Sequence, residues 1–543
     1  MEEKGKKKGK NGESMRDMKG EKRIIILLVT NLDGEDFAAV VGNLKDTGEI
    51  LVVCDQASMA GCPPHIWERI QTQYLADPLT SPEALAERVR EWEKKNHARI
   101  IGLAGYDEEY HYRFSEALAC AFSLPFHTRR TLDLTSNKYL QRVALSESGV
   151  AVPLFCLVSP DALDVQTVQT SAIPFPNVLK VITGYASCFI YLNRNREELK
   201  RHLEIFRRMG KEKQGDTMFS PHVVNEAGTG NSSGDSPVVY NPCSQIILEE
   251  YLGGEEYSCD YIVDKGNVEV LRLVHKITNI PPAISPASQK TRRTGGTEGT
   301  GKTSGFAFFE GFYLYNPAGA AGKRVGGPGI AALKDVCTRT ASALGITRGV
   351  CMMDFKYENN NRNNEGNTTY EDSNVYVLET TVRPGISTFV ELMARVYGFT
   401  SITRHIDQIK GIPVSAGIPE KTGLVVYLTS PCTGTVRTID TSLLRERGKD
   451  RGEGHGGCEV ISVNPYYREG DVIPEAEHRR GKPVIVGDVL LGQVQPESIG
   501  QVFARIRGEV RVKVTTEVAE VAAESAEGST SSPAASHTHV RNS

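Results

Sequence analysis

The sequence predicts a multidomain protein that combines α/β and α+β domains, and three observations lead to this prediction. Its 543 residues are too many for a single hydrophobic core. Apolar strands alternate with amphipathic helices over residues 23–125, which indicates a parallel sheet with helices on its faces. After residue 405 the pattern changes to short strands separated by glycine turns, which indicates a small antiparallel β domain.

The first domain has clear local signals. Three buried strands are predicted, at Arg23–Thr30, Gly48–Cys54 and Ala98–Leu103. A helix is predicted at Pro82–Lys95, because Ser81 before it is a favourable N-cap. The last domain should contain five strands, at Gly423–Tyr427, Gly434–Ile439, Glu459–Val463, Pro483–Leu491 and Gln501–Val512.

Two lysines stand at the ends of predicted elements in the middle of the chain. Lys138 lies in a predicted helix, and Lys180 ends the strand Phe175–Val181. A compact ammonium group suits phosphate oxygens, because it neutralises charge without requiring a planar fit. The alternative interpretation is that both side chains are simply solvated.

An acidic stretch follows at Ile246–Ser258. An apolar strand ends in Glu249 and Glu250, turns through two glycines and resumes after Glu255 and Glu256. A carboxylate there can accept hydrogen bonds from sugar hydroxyls, and the adjacent backbone can pair with a purine. A hairpin with a solvated acidic turn is the alternative.

Two further strands each carry one acidic residue. Asp354 lies in Gly349–Lys356, Glu379 ends Val375–Glu379, and Arg383 follows shortly after. Carboxylates on neighbouring strands can hold Mg²⁺ through oxygen ligands, and an arginine can bind a phosphate or a carboxylate bidentately. The alternative is a pair of ordinary strand-end acids and a surface arginine.

In this order, these segments resemble the ATP-grasp superfamily, and within it carboxylate–amine ligases of the L-amino-acid ligase and carnosine synthase kind. The resemblance runs from about Ile24 to about Val512. It implies an N-terminal α/β layer domain, two α+β subdomains that clamp ATP, and a small C-terminal β domain. The predicted boundaries are 1–22 for a disordered basic tail, 23–125, 126–405 for the ATP-grasp domain, 406–515, and 516–543 for a second disordered tail.

The resemblance also implies a role for each candidate residue. Six would bind the nucleotide: Lys138 and Lys180 at the phosphates, backbone groups of Glu250 and Leu252 at the adenine, Glu256 at the ribose, and Glu249 seven residues before it. Glu255 is a rival for the ribose, because a strand shows only one of two adjacent residues on each face.

Asp354, Glu379 and Thr381 would bind Mg²⁺, with Mn²⁺ as an alternative, and Arg383 would stabilise the acyl phosphate or the tetrahedral intermediate. The usual Glu-x-Asn-x-Arg motif reads Glu379-Thr380-Thr381-Val382-Arg383 here, so a hydroxyl replaces an amide ligand. The implied activity is an ATP-dependent ligase that joins a carboxylate to an amine, both from amino acids. A nucleotide-binding relative that has lost turnover is the alternative.

A second motif points to a different class of enzyme. Gly296–Thr303 satisfies the P-loop pattern and would use Lys302 in an NTPase. The residues before it are polar and those after it are strand-like, whereas a P-loop connects a buried strand to a helix. A mobile loop is therefore the preferred interpretation. Three mobile insertions are predicted, at about 211–241, 286–304 and 358–374, and the P-loop pattern lies within the second. A biotin-dependent carboxylase is disfavoured, because the C-terminal β region lacks a Met-Lys-Met acceptor.

Composition narrows the choice of partners. A net charge of −4 gives no reason to expect nucleic acid or a membrane surface as the main partner. Eleven scattered cysteines without a Cys-x-x-Cys pair are typical of reduced thiols, and no run approaches the length of a membrane span. We therefore expect a cytoplasmic protein with small-molecule substrates. A homodimer is expected from the resemblance alone.

Overall fold

The computed structural model describes most of residues 21–515, in two compact units. The first unit comprises residues 1–277 and 312–424, and the second comprises residues 278–311 and 425–543. The predicted boundary at residue 405 falls inside a helix, Ser401–Ile409, and the first unit continues to Leu424. Within 21–515, the residues not described are 31, 33, 45–48, 61–72, 78, 107–111, 162–172, 185–188, 214–218, 225–237, 279–308, 326, 359–373, 386–387, 415–416, 431–432, 443–457 and 474–483.

The chain begins with a parallel sheet, as the alternating pattern predicts. Its strands are β1 (Lys22–Val29), β2 (Ile50–Asp55), β3 (Gln73–Asp77) and β4 (Ala98–Tyr106), in the order β3-β2-β1-β4. The helices around it are α1 (Gly34–Gly42), α2 (Gln56–Ala60), α3 (Pro82–Lys95) and α4 (Tyr112–Ala121). Strand β1 is central, and its alternate residues enter two separate hydrophobic cores on opposite faces. The Ser81 hydroxyl accepts from Ala84 N (3.2 Å), which confirms the predicted N-cap.

A second, antiparallel sheet follows in the order β5-β10-β6-β7. Its strands are β5 (Phe155–Val158), β6 (Asn177–Val181), β7 (Ile190–Asn193) and β10 (Ile246–Glu250). Helix α7 (Arg196–Glu212) packs Leu199, Leu203 and Phe206 against it. Two helices, α5 (Arg129–Ser136) and α6 (Lys138–Glu147), precede this sheet, and β8 (His222–Val224) pairs with β9 (Val238–Tyr240) apart from it.

The third sheet of the first unit contains β11 (Glu255–Asp264), β12 (Asn267–Thr278), β14 (Arg348–Glu358) and β15 (Asn374–Thr381), in the order β15-β14-β11-β12. All neighbours are antiparallel, so side chains on one face line up across the strands. The remaining elements of this region are β13 (Phe309–Leu314), α8 (Ala320–Val325), α9 (Ile330–Ala343), α10 (Thr388–Tyr397) and α11 (Ser401–Ile409).

The C-terminal part contains β16 (Gly423–Ser430), β17 (Gly434–Asp440), β18 (Glu459–Pro465), β19 (Val472–Ile473), β20 (Val484–Gly492), α12 (Ile499–Glu509) and β21 (Arg511–Thr515). The predicted strand Gln501–Val512 is wrong, because most of it is helix α12. Val502, Phe503 and Ile506 are buried, and their spacing is that of a helical apolar stripe. Among the residues placed in the structure, no helix has the length and apolar character needed to span a membrane.

Candidate functional site

Helix α6 presents three polar side chains on one face. Asn137 caps the helix, because its side chain accepts two backbone N–H groups of the first turn. Lys138, Gln141 and Arg142 follow at positions that share a face of a helix, and all three are buried. This face is directed at strand β15.

Two side chains of α6 hold the end of β15 through its backbone. The Gln141 amide donates to Thr380 O (2.7 Å) and accepts from Thr380 N (2.8 Å). The Arg142 guanidinium donates to Leu378 O. These contacts fix the backbone on both sides of the residue between them, which is Glu379.

A β-bulge in β15 determines which face of the sheet receives Glu379. Asp354 of β14 pairs with Glu379, whereas the next residue, Phe355, pairs with Val377, so Leu378 is the extra residue. Successive residues of a strand point to opposite faces, so this insertion places Glu379 on the face of Asp354. Two carboxylates are therefore opposite each other on neighbouring strands.

Lys138 neutralises the first of these carboxylates. Its Nζ donates to Glu379 Oε1 and to Gly184 O (2.9 Å). Burial raises the pKa of Glu379, but Lys138, Lys180 and Arg383 together bring it below its ordinary value. Glu379 is therefore ionised at neutral pH, within the influence of three cations.

Lys180, on β6, contacts a second buried carboxylate. Its Nζ pairs with Glu249 Oε2 on the neighbouring strand β10, and Arg142 Nε donates to Glu249 Oε1 (2.8 Å). Burial raises the pKa of Glu249, but the two cations bring it below its ordinary value. Burial lowers the pKa of Lys180 in spite of this partner. Both oxygens of Glu249 are thus engaged by cations.

A third lysine, Lys276 on β12, connects the remaining acidic residues. Its Nζ donates to Asp354 Oδ2 (2.6 Å) and to Glu256 Oε1 (3.0 Å), and Lys356 contacts Glu256 Oε2 at 3.4 Å. Burial lowers the pKa of Lys276, but the two carboxylates raise it above its ordinary value. Burial raises the pKa of Glu256, and the two lysines lower it overall. Lys276 and Glu256 are therefore both charged.

The two candidate ribose carboxylates point in opposite directions. Glu256 lies on the face that carries Lys276 and Asp354. The Glu255 side chain is 61% exposed, and its Oε2 is 2.8 Å from His275 Nε2 on the other face. The structure therefore brings Glu256, and not Glu255, to the cluster of charged residues.

Glu250 and Leu252 lie at the end of β10. Glu250 N donates to Leu154 O (2.9 Å), and the Glu250 carboxylate accepts from Leu154 N (2.8 Å). Tyr251 N donates to Pro176 O (3.2 Å). The backbone at Glu250 and Tyr251 is thus held between the residues that precede β5 and β6, and Leu252 begins the turn to β11.

Thr381 and Arg383 form the start of the loop after β15. Thr381 is buried on the same face as Glu379, and its hydroxyl donates to Arg383 O (3.3 Å). Arg383 is also buried, and its Nη1 donates to Pro384 O (3.2 Å). The loop continues to Gly385, whose N–H donates to Asp260 Oδ1 (3.0 Å).

Asp260 anchors this loop to the sheet. Its carboxylate also accepts from Arg272 Nη2 (2.7 Å) and from the Ser401 hydroxyl. A Cβ at position 385 would lie 2.2 Å from Arg272 Nη2, so this close approach requires Gly385. The Tyr106 hydroxyl donates to Gly385 O (2.7 Å), which connects the end of β4 to the same loop.

The donor set around Asp354 and Glu379 fits a divalent cation. Asp354 Oδ1 is buried and has no hydrogen-bond partner among the described residues. Glu379 lies directly opposite, with one oxygen on Lys138, and Thr381 adds a hydroxyl on the same face. Mg²⁺ and Mn²⁺ prefer such oxygen ligands.

The structure places most of the sequence-predicted residues in three ion-paired groups: Lys138 with Glu379, Lys180 with Glu249, and Lys276 with Glu256 and Asp354. Asp354 and Glu379 pair on neighbouring strands, and Arg383 acts on Glu379 through its charge. Lys302 and the P-loop pattern at 296–303 lie outside the described residues, as do most of the predicted insertions, residues 1–20 of the first tail and the whole of the second. Lys22, the last residue of the predicted first tail, belongs to β1.

Sequence reasoning missed Arg142, Gln141 and Lys276. Arg142 stands four residues after Lys138, so a helical repeat of basic residues was a readable signal. Lys276 follows Arg272 at an even spacing within an apolar strand, which is a signal for basic residues on one face. No signal in the sequence indicates the partners of Gln141, because they are backbone atoms 239 positions away.

Comparison with known proteins identifies the fold. No protein-family model matches the sequence, and no curated protein matches it. Among solved structures, the L-amino acid ligase from Bacillus licheniformis superposes with a TM-score of 0.60 at 15% identity, over 91% of this chain and 100% of that chain. Phosphoribosylglycinamide synthetase from Anaerococcus prevotii gives 0.52 at 12%, over 91% and 100%.

A third structure is the biotin carboxylase domain of 2-oxoglutarate carboxylase from Hydrogenobacter thermophilus, in complex with MgADP, ADP and bicarbonate. It gives a TM-score of 0.52 at 14% identity, over 90% of both chains. These proteins are ATP-grasp enzymes, so the chain has the ATP-grasp fold, and the predicted fold class is confirmed.

Proposed function

We propose that this protein is an ATP-dependent ligase that joins a carboxylate to an amine, with amino acids as substrates. The observation that carries the proposal is the pair of opposed carboxylates, Asp354 and Glu379, surrounded by Lys138, Lys180 and Lys276. Such a cluster suits a polyphosphate and its metal ion. The shared fold supports the proposal, because the L-amino acid ligase and the phosphoribosylglycinamide synthetase are named for reactions of this general kind.

The lysines would bind the phosphates of ATP. Lys138 and Lys180 are held in place by Glu379 and Glu249, so their ammonium groups are positioned before a ligand arrives. Glu256 would accept from the ribose hydroxyls, and the backbone at Glu250 and Leu252 would meet the adenine. These positions extend along the edge of β10 and the start of β11.

Asp354 and Glu379 would bind Mg²⁺, with Thr381 as a weaker hydroxyl ligand. When bound, the metal ion would neutralise the charge that develops on the phosphates during transfer. The protein contributes at least one carboxylate that is already ionised, because neighbouring cations hold the pKa of Glu379 below its ordinary value.

The reaction would proceed in two steps. A substrate carboxylate oxygen attacks the γ-phosphorus of ATP, its bond to the β-phosphate oxygen breaks, and ADP leaves with the electron pair. An amine nitrogen then attacks the acyl carbon, the bond from that carbon to the phosphate oxygen breaks, and phosphate leaves while the nitrogen loses a proton. Arg383 would stabilise the oxyanion of the tetrahedral intermediate that forms when the amine attacks the acyl carbon. Its buried guanidinium suits this role because the loop fixes it beforehand.

The direct test is a screen of amino-acid pairs with ATP and Mg²⁺, in which ADP release and the mass of the condensed product are measured together. The proposal expects ADP and an amide product in equal amounts for at least one pair. ADP release without a condensed product from any pair would contradict it.

Single-residue variants then test the role proposed for each residue. Glu379→Ala should lower turnover by more than the roughly 10–100-fold that is typical when a supporting group around a metal is lost. Glu256→Ala should raise the KM for ATP, whereas the matched control Glu255→Ala, which changes the neighbouring exposed residue, should leave it within about twofold. Equal effects of the two variants would contradict the placement of the ribose.

One observation favours a second candidate, a protein that binds nucleotide without turnover. The Thr381 hydroxyl donates to Arg383 O, so it is partly committed to the loop. This candidate predicts a thermal shift with ATP and no ADP release. A P-loop NTPase predicts instead that Lys302→Ala abolishes ATP binding, whereas both ATP-grasp candidates predict that Lys180→Ala does so.

A further inference from the structure

A small cavity lies between the N-terminal sheet and the start of β14, and Val382, the residue between Thr381 and Arg383, forms part of its lining. Its volume is about 70 Å³, several times the roughly 10–15 Å³ needed by one buried water. Strand β4, the edge of the parallel sheet, forms one wall, and helix α11 forms another. The polar groups that line it are Tyr112, His127, Thr347, Arg348 and His405.

Two imidazoles converge on this cavity. A Cβ built on Gly349 would lie 3.4 Å from His127 Nε2 and 3.7 Å from His405 Nε2, so both nitrogens face the same space. Gly349 has a φ of +107°, a conformation that favours glycine and leaves this space open. Neither imidazole has a hydrogen-bond partner among the residues that the structure describes.

Among the described residues that line the cavity, Arg348 is the one that carries a permanent charge. Arg348 donates to Gln408 O (3.1 Å), and no carboxylate within the described part of the chain pairs with it. Burial lowers the pKa of His127 to about 4, and burial, His127 and Arg348 lower the pKa of His405 to about 3. The cavity therefore combines a permanent cation with two neutral imidazoles, each of which can donate from one ring nitrogen or, after protonation, from both.

We propose that this cavity binds a small oxyanion between Arg348, His127 and His405. An oxyanion accepts hydrogen bonds from every one of these groups, and its charge balances that of Arg348. The volume suits a tetrahedral ion such as phosphate or sulfate, or the carboxylate of a very small acid. The proposal stands independently of the ligase reaction, because none of these residues belongs to the charged cluster.

A metal ion is the competing occupant, because imidazole is a common metal ligand. A structural or catalytic site takes three or four protein ligands. No group of three or more His, Cys, Asp or Glu side chains with a suitable arrangement occurs among the described residues. A guanidinium beside the two imidazoles would also repel a cation, so the observations favour an anion.

Isothermal titration of the full chain with sulfate, without nucleotide or Mg²⁺, tests the proposal. Sulfate keeps its charge between pH 5 and 8, so any pH dependence comes from the protein. We expect one saturable site. Arg348→Gln should weaken it by roughly 10–100-fold, the range for loss of a hydrogen bond to a charged group. Arg404→Gln on helix α11 is the matched control, because Arg404 pairs with Asp407 and stacks on Phe399, and it should change the affinity less than twofold.

Proton uptake gives a second, independent readout. Among the described residues, the groups that face His405 are His127 from the loop between α4 and α5, Arg348 from β14 and Tyr112 from α4. Of these, only the two imidazoles can gain a proton at pH 5 to 8, when a bound anion raises their pKa. A bound anion raises the pKa of each imidazole, so affinity for sulfate should increase as the pH falls. Titrations in buffers of different ionisation enthalpy should show protons taken up on binding, and His405→Gln should reduce this number.

The outcomes separate the alternatives. Saturable sulfate binding that is lost in Arg348→Gln supports the proposal, and binding of acetate in place of sulfate supports it with a carboxylate as the occupant. Absence of binding for both ions at millimolar concentration overturns it, as does affinity that is unchanged in Arg348→Gln. Zn²⁺ binding that requires both histidines also overturns it. Circular dichroism and a thermal scan of each variant show that it is folded, so a loss of binding is attributable to the site.

Discussion

Replacing Glu249 with glutamine tests how strongly the buried charges of the site depend on one another. The substitution keeps the size of the side chain and removes its charge. Arg142 is fully buried and the Lys180 side chain is only 8% exposed. Both cations would therefore remain in the interior without the carboxylate that each of them now contacts.

The expected change in the free energy of unfolding depends on which of the two cations can lose its proton. Removing one partner of a buried ion pair costs about 3–5 kcal/mol, because an uncompensated charge remains. Lys180 can release its proton, since burial already lowers its pKa, whereas a guanidinium stays charged. We therefore expect Glu249→Gln to lower the free energy of unfolding by about 3–5 kcal/mol, with Arg142 as the main cause, and not by twice that amount.

Chemical denaturation at pH 7 measures this difference. Glu255→Gln is the control, because Glu255 is largely exposed and its contact with His275 is at the surface. Exposed substitutions of this kind change the free energy of unfolding by about 0.5 kcal/mol or less. A Glu249→Gln variant as stable as the control would refute the reasoning that Glu249 compensates the two cations.

The pH dependence provides a second check with a defined sign. The folded-state pKa of Glu249 lies below its unfolded value, so its contribution is complete above the unfolded pKa and is lost as the pH falls through the folded pKa. The wild-type protein should therefore lose its advantage over Glu249→Gln as the pH falls below about 4. A constant difference between pH 4 and pH 3 would contradict the assignment.

Three further predictions concern the loop after β15. Asp260→Asn should destabilise the protein by about 3–5 kcal/mol in denaturation, because Arg272 loses its buried counter-ion, whereas Ser401→Ala should cost only about 1–2 kcal/mol. Gly385→Ala should lower the thermal midpoint and the turnover together, because the added Cβ would lie 2.2 Å from Arg272 Nη2; an unchanged midpoint would show that the loop can move aside. Thr381→Asn should reduce the Mg²⁺ concentration that half-saturates nucleotide binding by roughly tenfold, since an amide oxygen replaces a hydroxyl; an unchanged Mg²⁺ dependence would mean that Thr381 is not a ligand.

The parts of the fold that sequence reasoning predicted are those with local signals. The strand that became β1 is a continuous apolar run, and Ser81 before a proline is a local cap signal. At helix α12 the sequence predicts a strand, because Val502, Phe503 and Ile506 form a short apolar group that fits the period of a strand as well as that of a helix. The burial of these three residues on one face shows that the segment is a helix, but this burial is known only once the neighbouring elements are placed.

The parts of the site that sequence reasoning could not predict depend on long-range pairing. Lys276 reaches Asp354 because β11 lies between β12 and β14, an order that no local pattern reveals. The choice between Glu255 and Glu256 likewise depends on which face of β11 meets those neighbours. The alternation of side chains along a strand shows that Glu255 and Glu256 lie on opposite faces, but it does not show which of them faces the charged cluster.

The bulge at Leu378 is the clearest case of a feature that the sequence does not reveal, because the local alternation predicts the wrong face for Glu379. Val375, Val377 and Glu379 alternate regularly, and a regular strand would place all three on one face. That face is the one on which Phe355 pairs with Val377, so Glu379 would enter an apolar environment. The extra residue shifts the register by one and turns Glu379 toward Asp354. The Leu378 carbonyl that the bulge leaves outside the regular ladder accepts from Arg142, the same guanidinium that contacts Glu249. One helix face therefore both stabilises the irregular strand and compensates the buried acid beside Lys180, so the position of the carboxylate pair depends on residues more than two hundred positions away.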